Sequence, residues 1–152
     1  MSLDKVELFE DHRPLVVVVS PADVTAATID AMASAYERLF QRGRRYASIS
    51  VSRRGGATVG ARERRAIAEW ANSPRVREMS KELCVGSSTI VEGALQRAAL
   101  TAIQWFWTPI APHRAVATAA EAVDFCHERL KASGLTPIVP RESSIAWIEK
   151  QF

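Results

Sequence analysis

The chain has 152 residues, 47% hydrophobic and 24% charged, a balance that fits one folded domain and argues against disorder. No apolar run reaches the roughly 18–20 residues of a membrane span; the best candidate, Ala94 to Trp107, is broken by Gln96, Arg97 and Gln104. The N-terminus shows no basic segment leading into an apolar stretch, so no secretory signal is expected. Cys84 and Cys126 lie far apart, outside any CxxC or Cys/His metal spacing, and read as buried thiols of a cytoplasmic protein.

Net charge is +3, but its placement is uneven. Arg42, Arg44, Arg45, Arg53, Arg54, Arg62, Arg64 and Arg65 face the single acid Glu63, giving that segment +7 and leaving −4 elsewhere. Such asymmetry can steer an acidic partner or a phosphate. It can equally be a solvated helix face and turn.

In chain order, residues Val6 to Asp11 predict a short strand, and His12, Arg13 and Pro14 a turn. Leu15–Val19 is a continuous β-branched run with no polar face, which predicts a strand buried on both sides, central in the sheet. A helix follows with two competing starts, Ser20-Pro21 and Thr25. Ile29, Met32, Tyr36, Leu39 and Phe40 form its apolar stripe, and Gly43 ends it. Tyr46 to Val51 alternates Tyr, Ser, Ser with Ala, Ile, Val and predicts another strand.

The turn Arg53-Arg54-Gly55-Gly56 leads through Thr58 and Gly60 into a second helix facing inward through Ile67, Trp70 and Ala71. Ser73-Pro74 interrupts it, and Val76, Met79 and Leu83 continue in a short helix. Cys84 to Val91 predicts a strand, and Gly93 opens a third long helix with Leu95, Ala98, Ala99, Ala102, Ile103 and Phe106 inward. His113 to Ala117 predicts the last strand. Thr118 and Glu121 have capping-box spacing, and the helix they start presents Ala122, Val123, Cys126 and Leu130 before Gly134. The order ββαβαβαβα predicts a single α/β domain over residues 1–134, with a mixed, mostly parallel sheet of about four or five strands and an N-terminal hairpin. Residues 135–152 form an extension with a proline-rich arm and an apolar patch at Ile145, Trp147 and Ile148, suited to docking on its own domain or on a second subunit.

Chemistry-bearing motifs are sparse. His12, His113 and His127 have no metal-ligand spacing, and no GxSxG elbow or paired-carboxylate motif stands out. The expectation is a protein with neither metal nor cofactor and no catalytic residue, an interaction module rather than an enzyme. A dispersed active site, with His113 and a carboxylate gathered in one cleft, is the remaining enzymatic possibility. The loop Arg53–Gly60 joins a strand to a helix, where backbone N–H groups favour anions, although it lacks P-loop and GxGxxG spacing. Arg53, Arg54, Arg62 and Arg65 are the candidate partner- or anion-binding residues. Trp105, Trp107 and Trp147 are candidates for an interface or an apolar pocket. The basic cluster lacks the aromatic platforms of single-strand binders and a helix-turn-helix signature, which argues against nucleic acid.

The strand–helix order and the buried Leu15–Val19 strand resemble the STAS-like (anti-sigma factor antagonist-like) fold. Gly60-Ala61-Arg62-Glu63-Arg64-Arg65-Ala66-Ile67-Ala68-Glu69-Trp70 and Cys84-Val85-Gly86 look like an uncharacterised bacterial STAS-related family. The likeness spans about residues 6–132 and extends through Ala94–Trp107, Pro112 to Arg114 and Ala119–Phe125. It implies a regulatory, partner-binding domain without cofactor chemistry. In phosphorylated members a switch hydroxyl opens the second helix; Thr58 is the nearest match here, with Ser52 behind it. Arginines and glycines surround Thr58, and no aspartate precedes it. Related folds include lipid-binding domains, so the resemblance also implies an alternative: an apolar small molecule in a pocket lined by the third long helix and closed by the tail.

Overall fold

Leu15–Ser20 is the strand on which the rest of the chain is built. The fold is described by a computed structural model covering residues 6–53, 59–104 and 108–151. Its five strands lie side by side in sequence order: β1 (Glu7–Phe9), β2 (Leu15–Ser20), β3 (Tyr46–Ser52), β4 (Cys84–Ile90) and β5 (His113–Val116). β1 pairs antiparallel with β2, and every later pair is parallel. A parallel sheet built in sequence order with right-handed crossovers places all its crossover helices on one face. Those helices are α1 (Ala26–Gln41), α2 (Ala61–Ala71), α3 (Pro74–Leu83) and α4 (Ala94–Gln104). α5 (Ala119–Ala132) follows the last strand, is not a crossover, and covers the opposite face together with α6 (Arg141–Glu149).

Period-two alternation along β2 sorts its side chains between two cores. Leu15, Val17 and Val19 join Ala47, Ile49, Val51 and the inner face of α5, whereas Val16 and Val18 join Leu39, Phe40, Tyr46, Val76 and Leu83. All five β2 side chains from Leu15 to Val19 are at most 2% exposed, so the apolar run serves both faces. Gly86 on β4 faces α5, where Arg129 crosses the strand. A Cβ at Gly86 would lie 2.6 Å from Arg129 Cγ, while the Arg129 guanidinium donates to the Val85 carbonyl at 3.2 Å.

Several local expectations are corrected. The first strand is shorter than Val6–Asp11. Of the two competing starts for α1, Thr25 is the cap: its hydroxyl accepts from the Thr28 N–H, and the Thr28 hydroxyl accepts from the Thr25 N–H. At α5 the Thr118 hydroxyl accepts from the Glu121 N–H, but the Glu121 carboxylate accepts from that same hydroxyl instead of the Thr118 backbone. In α4, Leu95 is 75% exposed and Ala98 is also outward, while Leu100 and Ile103 turn inward. Gln96, Arg97, Thr101 and Gln104 share one side of this helix, so spacing phases Leu95 and Ala98 inward, whereas packing leaves them outward. Phe106, also expected inward, lies outside the described residues.

The expected extension is integral to the core. Ile148 on α6 is fully buried in the cluster formed by β2, β3 and α5. Trp147 packs edge-on to Phe9, with ring centroids 4.9 Å apart, and tilts over His12 at 5.2 Å. Nδ1 of buried His12 lies 2.8 Å from the Ser144 hydroxyl, and Arg141 pairs with Asp124 on α5. No helix among the described residues is long and apolar enough to cross a membrane.

Candidate functional site

The alternation of β3 has a consequence at the sheet face under α1–α4. Ala47, Ile49 and Val51 enter the α5 core, so Tyr46, Ser48 and Ser50 point the other way. Register then sets further polar residues beside them: Ser48 pairs with Ser87 and Ser50 with Thr89 across β3 and β4, and Ser87 pairs with His113 on β5. This produces a patch of hydroxyls and one imidazole on a sheet face that helices roof over.

The roof does not close down on that patch. α2 and α4 pack against each other more extensively than either packs on any strand. A cavity of about 210 Å³ lies between them and the sheet. Met32 of α1, Ile67 and Trp70 of α2, and Leu100 and Ile103 of α4 supply its apolar walls. Pro109, Ile110 and Ala111, on the connection from α4 to β5, also line it. Ile110 remains 37% exposed, which makes that connection the solvent-facing rim.

Within the polar floor, the Ser87 hydroxyl lies 2.7 Å from His113 Nδ1, and the Thr89 hydroxyl lies 3.5 Å from Nε2. Burial holds the His113 pKa below the usual imidazole value. At the deep end, the Tyr36 ring packs tilted against Trp70 with centroids 5.1 Å apart, and its hydroxyl sits against Ser48. Burial raises the Tyr36 and Tyr46 phenols, and it pushes the Cys84 thiol up to about 11. Each of these wall groups is therefore neutral near pH 7. Among the described residues lining the cavity there is no Asp, Glu, Lys or Arg.

The residues singled out from sequence fall elsewhere. Arg53 is tied to Glu7, its guanidinium 3.4 Å from the carboxylate and its side chain 14% exposed. Arg62 and Arg65 are exposed on α2, and Arg64 donates to the Val59 carbonyl. Arg42 pairs with Glu10 and, with Arg44 and Arg45, sits before β3, whereas Arg53 follows it. Seven residues of strand separate the two groups by about 20 Å, so the arginines do not form one surface. Ser52 ends β3, half-buried and paired with Ser20. Arg54, Thr58, Trp105 and Trp107 lie outside the described residues.

Trp147 lines no part of the cavity: α6 packs on the opposite face, so the tail does not close the pocket. His113 does enter a cleft, but among hydroxyls; the carboxylate expected of a dispersed active site is not among its described lining residues. Nor do three or more His, Cys, Asp or Glu side chains gather as a metal site among the described residues. The floor residues Ser48, Ser50, Ser87 and Thr89 were missed by motif reading. The available signal was a polar alternation in strands whose sheet was expected to be covered by helices.

Comparison with protein-family models, with curated proteins and with solved structures finds no match for this chain.

Proposed function

We propose that this chain is a binding domain for a small molecule, held in the cavity between the sheet and the α1, α2 and α4 roof. The observation that carries the reading is the pairing of an apolar roof with a floor of aligned hydroxyls around His113. Ligand sites combine mostly apolar walls with a few placed polar groups that fix orientation. The α5 face is by contrast filled mainly by apolar side chains.

The reading is one of binding rather than turnover. Serine hydrolases orient their histidine with a carboxylate on the nitrogen remote from the nucleophile. Here the two ring nitrogens of His113 face the hydroxyls of Ser87 and Thr89. Thermal unfolding with and without benzene tests the proposal, because a ligand that binds only the folded state raises the midpoint. A rise in the native chain, lost in Ser50→Leu and in Ile103→Trp, is expected. No rise, or an equal rise in both cavity-filling variants, contradicts it.

The second reading is a STAS-like regulatory module that binds a protein through the surface near the start of α2. The sequence-ordered sheet and the exposed Arg62 and Arg65 favour it. Its test is an affinity isolation from source lysate with Arg62→Glu/Arg65→Glu beside the native chain. One protein retained by the native chain and lost by the variant supports this reading; an identical set on both counts against it.

A further inference from the structure

Resting on the cavity proposed above as the ligand site, we infer that its ligand is an uncharged compound of about one ring's size, bearing a hydroxyl or carbonyl group that seats on Ser87, Thr89 and His113. Size sets the first limit. An apolar cavity of about 150 Å³ takes one benzene ring, and drug-sized ligands occupy about 300–1,000 Å³. At about 210 Å³ this cavity holds one ring and a short substituent.

Wall chemistry sets the second. The polar side-chain groups on the described walls are serine and threonine hydroxyls, the Tyr36 and Tyr46 phenols, the His113 imidazole, the Trp70 indole N–H and the Cys84 thiol. Hydroxyls and a neutral imidazole both donate and accept, so they can serve an alcohol or a carbonyl oxygen without a fixed charge. A carboxylate or an ammonium entering this space would leave its water without meeting a counter-charge on the described walls. An ion buried without a partner is strongly disfavoured.

Register places the head-group end. Ser87, Thr89 and His113 lie on the two strands nearest the α4–β5 rim, while Tyr36 and Trp70 pack against each other at the α1–α2 side. The ring therefore packs under Trp70, Ile67 and Leu100, with its polar substituent directed toward β4 and β5.

Four probes of matched size test this at pH 7: toluene, benzyl alcohol, benzoate and benzylammonium. Dissociation constants are read by NMR titration of the native chain, Ser87→Ala and Thr89→Val. Benzyl alcohol is expected to bind most tightly, and each ion at least about tenfold more weakly. Each variant should weaken benzyl alcohol by about three- to tenfold, the range of one hydrogen bond, and leave toluene within twofold. Benzoate or benzylammonium binding as well as benzyl alcohol overturns the inference while the cavity still stands as a ligand site. An equal loss of toluene and benzyl alcohol in both variants removes the head-group assignment and overturns it too. Failure of all four probes, toluene included, brings down the ligand-site reading and this inference with it.

Discussion

The Ser87 hydroxyl and Nδ1 of His113 lie 2.7 Å apart across two adjacent parallel strands, in a register pair whose side chains face a helical roof rather than water. The contact satisfies one nitrogen of a partly buried imidazole. It also fixes the imidazole plane, leaving Nε2 directed toward Thr89 at 3.5 Å.

His113 should titrate below the free-imidazole value of 6.5, because desolvation penalises its charged form. Proton NMR of the ring as a function of pH reads this directly. A midpoint above 6.5 in the free protein would show that the floor is not a dry, neutral surface.

Ile148→Ala should destabilise the whole domain by about 2–5 kcal/mol, the usual cost of truncating a fully buried isoleucine. Urea denaturation supplies the number. A change under about 0.5 kcal/mol would mean that α6 is dispensable to the core.

His12 makes the α6 contact sensitive to acid. Burial lowers its pKa in the folded state, and nearby Asp11 opposes that shift only in part. The unfolded chain, titrating near 6.5, therefore binds the proton first. Stability is intact above about pH 6.5 and falls as pH drops from that value toward the lower folded-state pKa. Urea midpoints at pH 7 and pH 5 should differ less in His12→Asn than in the native chain. His113 and His127 are shifted in the same direction, so part of the acid loss should persist in that variant. Native stability that rises on acidification would contradict the assignment.

Gly86→Ala should cost stability although a methyl group is small. The new Cβ would meet Arg129 at Cγ and Cβ, 2.6 and 2.9 Å away, near the root of the side chain rather than at its flexible end. Relief requires α5 to shift or Arg129 to give up its bond to the Val85 carbonyl. A loss of about 1–3 kcal/mol is expected by chemical denaturation, only partly recovered in Gly86→Ala/Arg129→Ala, which removes Cγ but keeps the Cβ at 2.9 Å. A single variant as stable as the native chain would show that the helix stands farther off.

Local pattern carried most of the architecture. The unbroken Leu15–Val19 run identified a doubly covered strand, and the alternation of strands with helices identified the parallel sheet with its antiparallel edge. The cavity was less visible because it is a product of register. Ser48 and Ser50 are adjacent to Ser87, Thr89 and His113 only after three strands separated by long crossovers align. No window of sequence contains that set. The basic segment is divided by the same geometry: β3 puts Arg42, Arg44 and Arg45 at one end of the sheet and Arg53, Arg62 and Arg65 after its other end. In the tail, the apolar residues Ile145, Trp147 and Ile148 were evident, and their destination against β1, β2 and α5 was set by tertiary packing.

The most direct measurement is a proton–nitrogen correlation spectrum of the labelled protein titrated with benzene. Saturable shifts are expected on the amides of Ser48, Ser50, Ser87, Thr89, His113 and Trp70, with those of Val123 and Leu130 on the α5 face unmoved. Shifts confined to the α5–α6 face, or none up to the solubility limit, would contradict a ligand site between the sheet and α1, α2 and α4.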